Sequence, residues 1–471
     1  MRQVAIAGVA ALLSAVLWHV GSGLHPVPGV AFLAPLPVLL VAPSLSTPFA
    51  FLSGACAWLG GALWLWPYLT GTVEQPVPAT VALLGGSALW FGALVALMSA
   101  CLRRGRTWSA VIVVPAGWVA LEFSLSLLGP FGAWWSIAYT QAEVLPVLQT
   151  AAVTGVWGLT FILLLAPSVL AVAANVDRPQ RIRLTAMGGM LAVAVAGFGA
   201  WRLAAEPRGE TVRAGLVAVS QPPAYVPVDS PAGQDMIARV IVEVESLADR
   251  GARVVVLPEK AWRADESTLS RLSGPLTEVA VRREIHIVAG LILTRAGRSV
   301  NAAIDFPSGA VYAKHHLVPG LEDDLAAGDD FRLVPGEPWA LAVCFDLDRP
   351  ALVRENRRLG ATLLLVPALD FTDDHWLHSR MAVVRGVESG MGVARAAQLG
   401  ELVVSDSRGR VLASARTDIT TTASVLADVP LTAERTVYAR FGDWFAWVGV
   451  GLFVLVLVDL SRRPRRRTEP T

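Results

Sequence analysis

Charge is what this 471-residue chain has least of: Asp, Glu, Lys and Arg together make up 16% of it, against about 25% in ordinary soluble proteins. Acidic groups are scarcest in the first 204 residues, where Glu74, Glu122, Glu143 and Asp177 are the only four of the 38 in the chain. Such a segment is too apolar to be an ordinary water-soluble domain. Cysteine is also rare, with three in all. Cys56 and Cys101 fall in apolar runs, where a thiol packs as a small hydrophobe. Cys344 stands alone in the second half of the chain, which excludes a structural disulfide there. No internal repeat and no low-complexity stretch beyond a short basic tail is present, and the net charge is only +1. Nothing in the chain supports a nucleic-acid partner.

What is present is apolar. Hydrophobic residues make up 54% of the chain, tryptophan occurs 16 times, and the mean hydropathy is +0.54. A helix needs roughly 20 apolar residues to cross a bilayer, and eight runs qualify: 3–22, 29–44, 48–69, 78–101, 107–128, 155–175, 186–204 and 442–460. The second is short and contains prolines. The first reads as a retained helix rather than a signal peptide, because further spans follow at once and no small-residue cleavage site closes it. Lys and Arg in short loops favour the cytoplasmic side. With the N-terminus inside, "RRGR" (103–106), "DRPQRIR" (177–183) and "SRRPRRR" (461–467) all fall inside, while the loops at 70–78 and 129–155 hold no Lys or Arg and fall outside. The reading is therefore a membrane domain over 1–204 with about seven helices, an extracytoplasmic domain over 205–440, a last span over 441–461 and a basic cytoplasmic tail over 462–471.

The outer segment alternates strand and helix patterns. "VRAGLVAVSQ", "ARVVVLPE" and "HIVAGLIL" read as strands separated by amphipathic helices, and a hairpin at 301–316 turns at Pro307 and Gly309. Further strands at 339–343, 361–369, 400–415 and 421–429 predict layered α/β structure.

Three polar residues emerge from these apolar elements: Glu259 in "VVVLPEKAW", Lys314 in "VYAKHHLVPGLED" and Cys344 in "WALAVCFDLDRP". A carboxylate, an ammonium and a thiol are the groups that acyl transfer through a thioester requires. A buried, inert thiol is the competing explanation of Cys344 taken alone. The order Glu, Lys, Cys on this strand pattern resembles the nitrilase superfamily of carbon–nitrogen hydrolases. With several helices before that domain and one after it, and with "PAGWVALEF" (115–123), "FGAWWSIAYTQAEVLPVLQTAAVTGVWGLTF" (131–161), "KHHLVP" (314–319) and "TVYARFGDW" (436–444), nearly the whole chain is similar to the apolipoprotein N-acyltransferase family.

That resemblance implies a bundle of about eight helices carrying an αββα sandwich. It implies that Glu259 is the general base, Lys314 the oxyanion-stabilising lysine, Cys344 the acyl-accepting nucleophile and Glu322 a supporting glutamate; one member of a solvated acidic loop is the other reading of Glu322. It further implies a phospholipid acyl donor, diacylglyceryl lipoproteins as acceptors, no metal or organic cofactor, and a monomer at the outer face of a bacterial cytoplasmic membrane. The sequence departs from the family pattern in three places. Phe345 and Asp346 follow the nucleophile in place of Tyr-Glu, "FTDDHWLHSR" replaces an Asn-Asp-Ala-Trp-Phe-Gly-like loop, and "ARAAQLGEL" replaces an Arg with Asn-Asn-Gly nearby. Phe345 and Trp376 are the candidate substrate-binding positions in the altered stretches. A membrane-tethered amidase and a catalytically retired scaffold remain alternatives.

Among the membrane residues, Trp64, Trp66, Tyr68, Trp134, Trp135 and Tyr139 read as an interfacial aromatic belt, with guidance of acyl chains toward Cys344 as the other reading. Glu122 predicts a polar cavity near the outer end of its span. His315 and His316 lack a third ligand at metal-binding spacing.

Overall fold

The structure, a computed structural model, describes residues 1–205, 209–221 and 225–462. Among the described residues six helices are long and apolar enough to cross a bilayer: Arg2–Gly21, Val77–Arg103, Thr107–Leu128, Val156–Ala174, Arg178–Ala204 and Trp444–Ser461. A seventh candidate is the pair Thr47–Ala62 and Leu65–Thr72, bent by 56° at its break. Within it, residues Tyr68–Thr72 form a π-helical turn.

The expected span at 29–44 is not one continuous helix. It consists of Val30–Phe32, Leu36–Val41 and Ala42–Ser44, because Pro35, Pro37 and Pro43 interrupt the run of backbone N–H donors that a continuous helix needs. It still returns the chain from one end of the bundle to the other. The Ser46 N–H meets Gln3 Oε1 at 3.5 Å, and Arg103 donates to Thr47 Oγ1 at 2.9 Å. Arg104 and Arg106 reach Leu460 O and Asp459 at this same end. The opposite end carries the α/β domain. Most of the basic tail expected over 462–471 lies outside the described residues.

That domain has two sheets. In the larger, the spatial order is Ala423–Pro430, Thr211–Ala218, Val254–Val256, His286–Arg295, Trp262–Asp265, Val226–Pro227, with Arg298–Phe306 paired to His286–Arg295 and Val311–Ala313 paired to Arg298–Phe306. The smaller runs Val411–Arg416, Glu401–Ser405, Gly392–Gln398, Leu363–Leu369, Trp339–Leu341. Strand alternation sorts the layers. Leu363 and Leu365 point between the sheets, against Leu216 and Val256, while Leu364 and Val366 face Leu352, Val353 and Ala382 on the covering helices. Helices Pro231–Asp249 and Ser270–Arg283 cover the other sheet through Met236, Val240, Leu272 and Leu276. The result is the αββα sandwich.

Helix His375–Ser389 belongs to both parts of the molecule. Ala382 packs in the sandwich, whereas Met381, Val383, Val384 and Val387 join the core of the helical bundle. Between these faces Arg385 and Glu388 form a buried ion pair. Arg385 also donates to Tyr139 OH, and Glu388 Oε1 accepts from Val156 N at 2.7 Å. Tyr139 is therefore part of this joint rather than of an aromatic belt. Glu122 likewise does not open a polar cavity. Its carboxylate is buried and accepts from Trp118 Nε1, Ser136 Oγ, Thr160 Oγ1 and Ile137 N at 2.7–3.0 Å, so protein donors offset its cost in the membrane.

Candidate active site

Glu259 lies three residues beyond the end of strand Val254–Val256. Its N–H donates to Ala368 O at 3.2 Å, and its Oε2 accepts from Leu369 N at 2.9 Å. The carboxylate thus bridges the ends of the two sheets. Gly290 makes room for it, since a Cβ there would lie 2.4 Å from Pro258 O and 2.6 Å from Glu259 Cα. Lys314 follows Val311–Ala313 and is held to the neighbouring strand by its own N–H, which donates to Asn301 O at 2.8 Å.

The Lys314 ammonium is buried between two carboxylates. It donates to Glu259 Oε1 at 2.9 Å and to Glu322 Oε2 at 2.8 Å. Glu322 is fully buried, so it is not a member of a solvated acidic loop. Its second oxygen pairs with Lys260 Nζ at 2.6 Å. Asn301 Nδ2 donates to both Glu259 and Glu322, at 2.5 and 2.7 Å. Two carboxylates and two ammonium groups make the cluster neutral, which is how buried charges become tolerable. Burial alone would favour neutral Lys314, but the Glu259 and Glu322 carboxylates outweigh it and hold the ammonium protonated. Burial also opposes ionisation of Glu322, yet Lys314 and Lys260 keep its carboxyl well below the usual range.

Cys344 opens a short 3-10 turn, Cys344–Asp348, just beyond strand Trp339–Leu341. Its φ of +41° lies in the left-handed region, a costly backbone state for a residue with a Cβ and one that concentrates at functional sites. Asp346 fixes the turn. Its Oδ2 accepts from Val343 N at 3.0 Å and from Tyr312 OH at 2.7 Å, and its Oδ1 accepts from His316 N at 2.9 Å. One carboxylate therefore ties the cysteine turn to the segment that follows Lys314. Burial and the nearby Glu259 carboxylate push the Cys344 thiol up, with Lys314 opposing. The resting group is the thiol, and a base must take its proton before it can attack.

Cys344, Glu259 and Lys314 share a cavity of about 320 Å³ with Phe345, Asp370 and His378. Its other side is built from the membrane domain: Tyr68, Leu69, Val73, Leu83, Phe131 and Trp134. Tyr68 and Trp134 stack at 5.8 Å and face this space instead of forming an outer belt. Trp376 is not in it. It lines a smaller adjoining cleft with Trp58, Trp64 and Trp135, and its indole donates to Glu143 at 3.0 Å. Asn301 and Lys260 escaped the sequence reading. A lone amide inside the apolar strand 298–306 was a legible signal for Asn301; Lys260 had only its place beside Glu259. Among the described residues no group of three or more His, Cys, Asp and Glu is placed to hold a metal, and the ring of His315 stacks on Tyr312 at 5.1 Å.

Residues 7–169 match the family described as apolipoprotein N-acyltransferase N-terminal domain, and residues 216–439 match carbon-nitrogen hydrolase. The apolipoprotein N-acyltransferase of Geobacter metallireducens is 27% identical over 512 residues, covering 96% of this chain and 95% of the relative. Over nearly its whole length the chain is similar to apolipoprotein N-acyltransferases. A second family relative, from Nitrosomonas europaea, is 25% identical and covers 95% of this chain and 97% of its own. Among solved structures, a mutant amidase of the nitrilase superfamily from Nesterenkonia AN1 is 20% identical, over 51% of this chain and 95% of its own, with a TM-score of 0.41. In this chain the part that matches carbon-nitrogen hydrolase and the membrane part meet at the cavity that holds Cys344.

Proposed function

We propose that this chain transfers an acyl chain from a phospholipid, through a thioester on Cys344, to the N-terminal α-amine of a diacylglyceryl-cysteine lipoprotein. The observation that carries this reading is the composition of the cavity: the thiol, carboxylate and ammonium come from the sandwich, and the apolar wall facing them comes from membrane helices. A water-soluble amide needs no such wall, whereas a lipid ester does.

Glu259 takes the proton from Cys344 as Sγ attacks the ester carbonyl, and returns it to the departing glycerol oxygen. Lys314 stabilises the oxyanion of each tetrahedral intermediate. Glu322 and Asn301 hold Lys314 and Glu259 in register. In the second half-reaction the acceptor amine enters as the free base, which an α-amino group with a pKa of about 7.7–8.0 supplies near neutrality. The amine attacks the thioester, Glu259 accepts its proton, and that proton returns to the leaving sulfur. The apolar wall limits water, which would otherwise hydrolyse the thioester. The basic loops at the bundle end remote from the domain support a cytoplasmic location for that end and an extracytoplasmic one for the active site.

The test is turnover of the purified chain in phospholipid micelles with a synthetic peptide bearing an S-diacylglyceryl-cysteine N-terminus. Lysophospholipid and N-acyl peptide are expected in equal amounts, and both are expected to vanish in Cys344→Ala. Free fatty acid without N-acyl peptide would replace transfer by hydrolysis, and no turnover with the fold intact would leave a binding scaffold.

A further inference from the structure

We infer that Lys260 is a specificity residue that binds the phosphate of the acyl donor's headgroup; this rests on the phospholipid-to-amine reading above. Lys260 follows the proposed base directly and lines the cavity that holds Cys344. Its side chain is 15% exposed, so its ammonium is largely withdrawn from solvent without being sealed in. Of its three N–H donors, Glu322 Oε1 engages one, at 2.6 Å, and the described residues show no other acceptor for the rest. Lys314 differs, with two donors committed to Glu259 and Glu322 and the whole side chain buried. Lys314 thus keeps one donor, which the oxyanion takes, and Lys260 has two to spare at the cavity wall.

The backbone points the same way. Lys260 has φ of +51°, the left-handed region that glycine or asparagine enters with least strain. A lysine kept there gains nothing from the turn itself. What the conformation provides is an adjacent pair whose carboxylate and ammonium both reach the cavity. In a glycerophospholipid the phosphate and the scissile ester share one glycerol, so an ester carbonyl seated at Cys344 leaves the phosphate close to the catalytic cluster. An ammonium with free donors is the group that meets an oxyanion there, as a charge-assisted hydrogen bond.

The experiment compares Cys344 acylation rates, read by intact mass, for phosphatidylglycerol and for the uncharged dioleoylglycerol at equal mole fraction in detergent micelles. The full-length wild type is expected to prefer the phospholipid. Lys260→Gln is expected to lower the phospholipid-to-diacylglycerol ratio about tenfold or more, and Lys260→Arg to keep it. Equal losses with both donors in Lys260→Gln would overturn the assignment and leave Lys260 as a support for Glu322. Inorganic phosphate is expected not to speed acylation by dioleoylglycerol; acceleration would overturn the headgroup as the anion bound. Wild-type acylation at equal rates by both lipids sinks this inference alone, whereas no wild-type adduct with either lipid sinks the acyl-transfer reading and this one with it.

Discussion

Asn301 donates through one amide nitrogen to Glu259 and Glu322 together, so it sets the spacing of the two carboxylates that clamp Lys314. Asn301→Ala is expected to slow Cys344 acylation about tenfold, the worth of one hydrogen bond to a charged group, with the circular dichroism spectrum unchanged. His378 offers a second test at this scale. Burial opposes its charge, but Asp374 at 3.1 Å, Asp370 at 3.9 Å and Asp348 raise its pKa from 6.5 to about 9. A histidine raised in the folded state contributes stability that is complete below pH 6.5 and is lost as pH rises through 9. Burial also raises Asp348, from 3.8 to about 7, so its penalty to the folded state builds up between those values and is complete before His378 loses its proton. The apparent Tm in detergent is expected to decline between about pH 7 and 9.5 in the wild type and to stay flat in His378→Gln. Glu259, Lys314 and Cys344 were legible as a cluster because polar groups at the ends of apolar strands, in that order, match a family pattern, whereas Glu322 had only the resemblance to set against a solvated loop. Trp376 was not legible. It lines the adjoining cleft and donates to Glu143, a placement that no local pattern encodes.

Helix His375–Ser389 is the element on which the whole arrangement depends, because its two faces pack in two different cores. Glu388→Ala would leave Arg385 buried without its carboxylate and Val156 N without its acceptor. A stability loss of about 3–5 kcal/mol is expected, read as a lower apparent Tm and faster tryptic cleavage in detergent. Strand alternation made the sandwich legible, since period-two burial separates Leu363 and Leu365 from Leu364 and Val366. Continuity of the second apolar run was not legible in the same way. Hydropathy registers the apolar character of 29–44, but three prolines decide that it descends as short helical pieces. Nor did the strand pattern of 421–429 reveal its sheet. Ala423–Pro430 crosses back to pair antiparallel with Thr211–Ala218, joining the end of the domain to its beginning.

Across the whole molecule, Arg103, Arg104 and Arg106 gather at the end of the bundle where Gln3, Thr47 and Asp459 lie, and the sandwich sits at the other. This polarity carries the proposed sidedness. In a variant with Cys56, Cys101 and Cys344 replaced by Ala, Glu266→Cys is expected to react with a membrane-impermeant maleimide from outside intact spheroplasts. Arg178→Cys is expected to react only after permeabilisation, and the reverse pattern would place the active site in the cytoplasm. The charge asymmetry between loops made the polarity legible. The shared cavity was legible only as the second reading of Tyr68 and Trp134, and Phe131 was not legible at all, because these rings reach the Cys344 cavity only once two distant parts of the chain pack together.

The central claim is that Cys344 is an acyl carrier, and intact mass spectrometry of the detergent-purified chain after incubation with phospholipid tests it most directly. The account predicts a gain of one acyl chain, removed by hydroxylamine and absent from Cys344→Ala. An unchanged mass in folded, lipid-bound protein, or an adduct that survives replacement of Cys344, would contradict it.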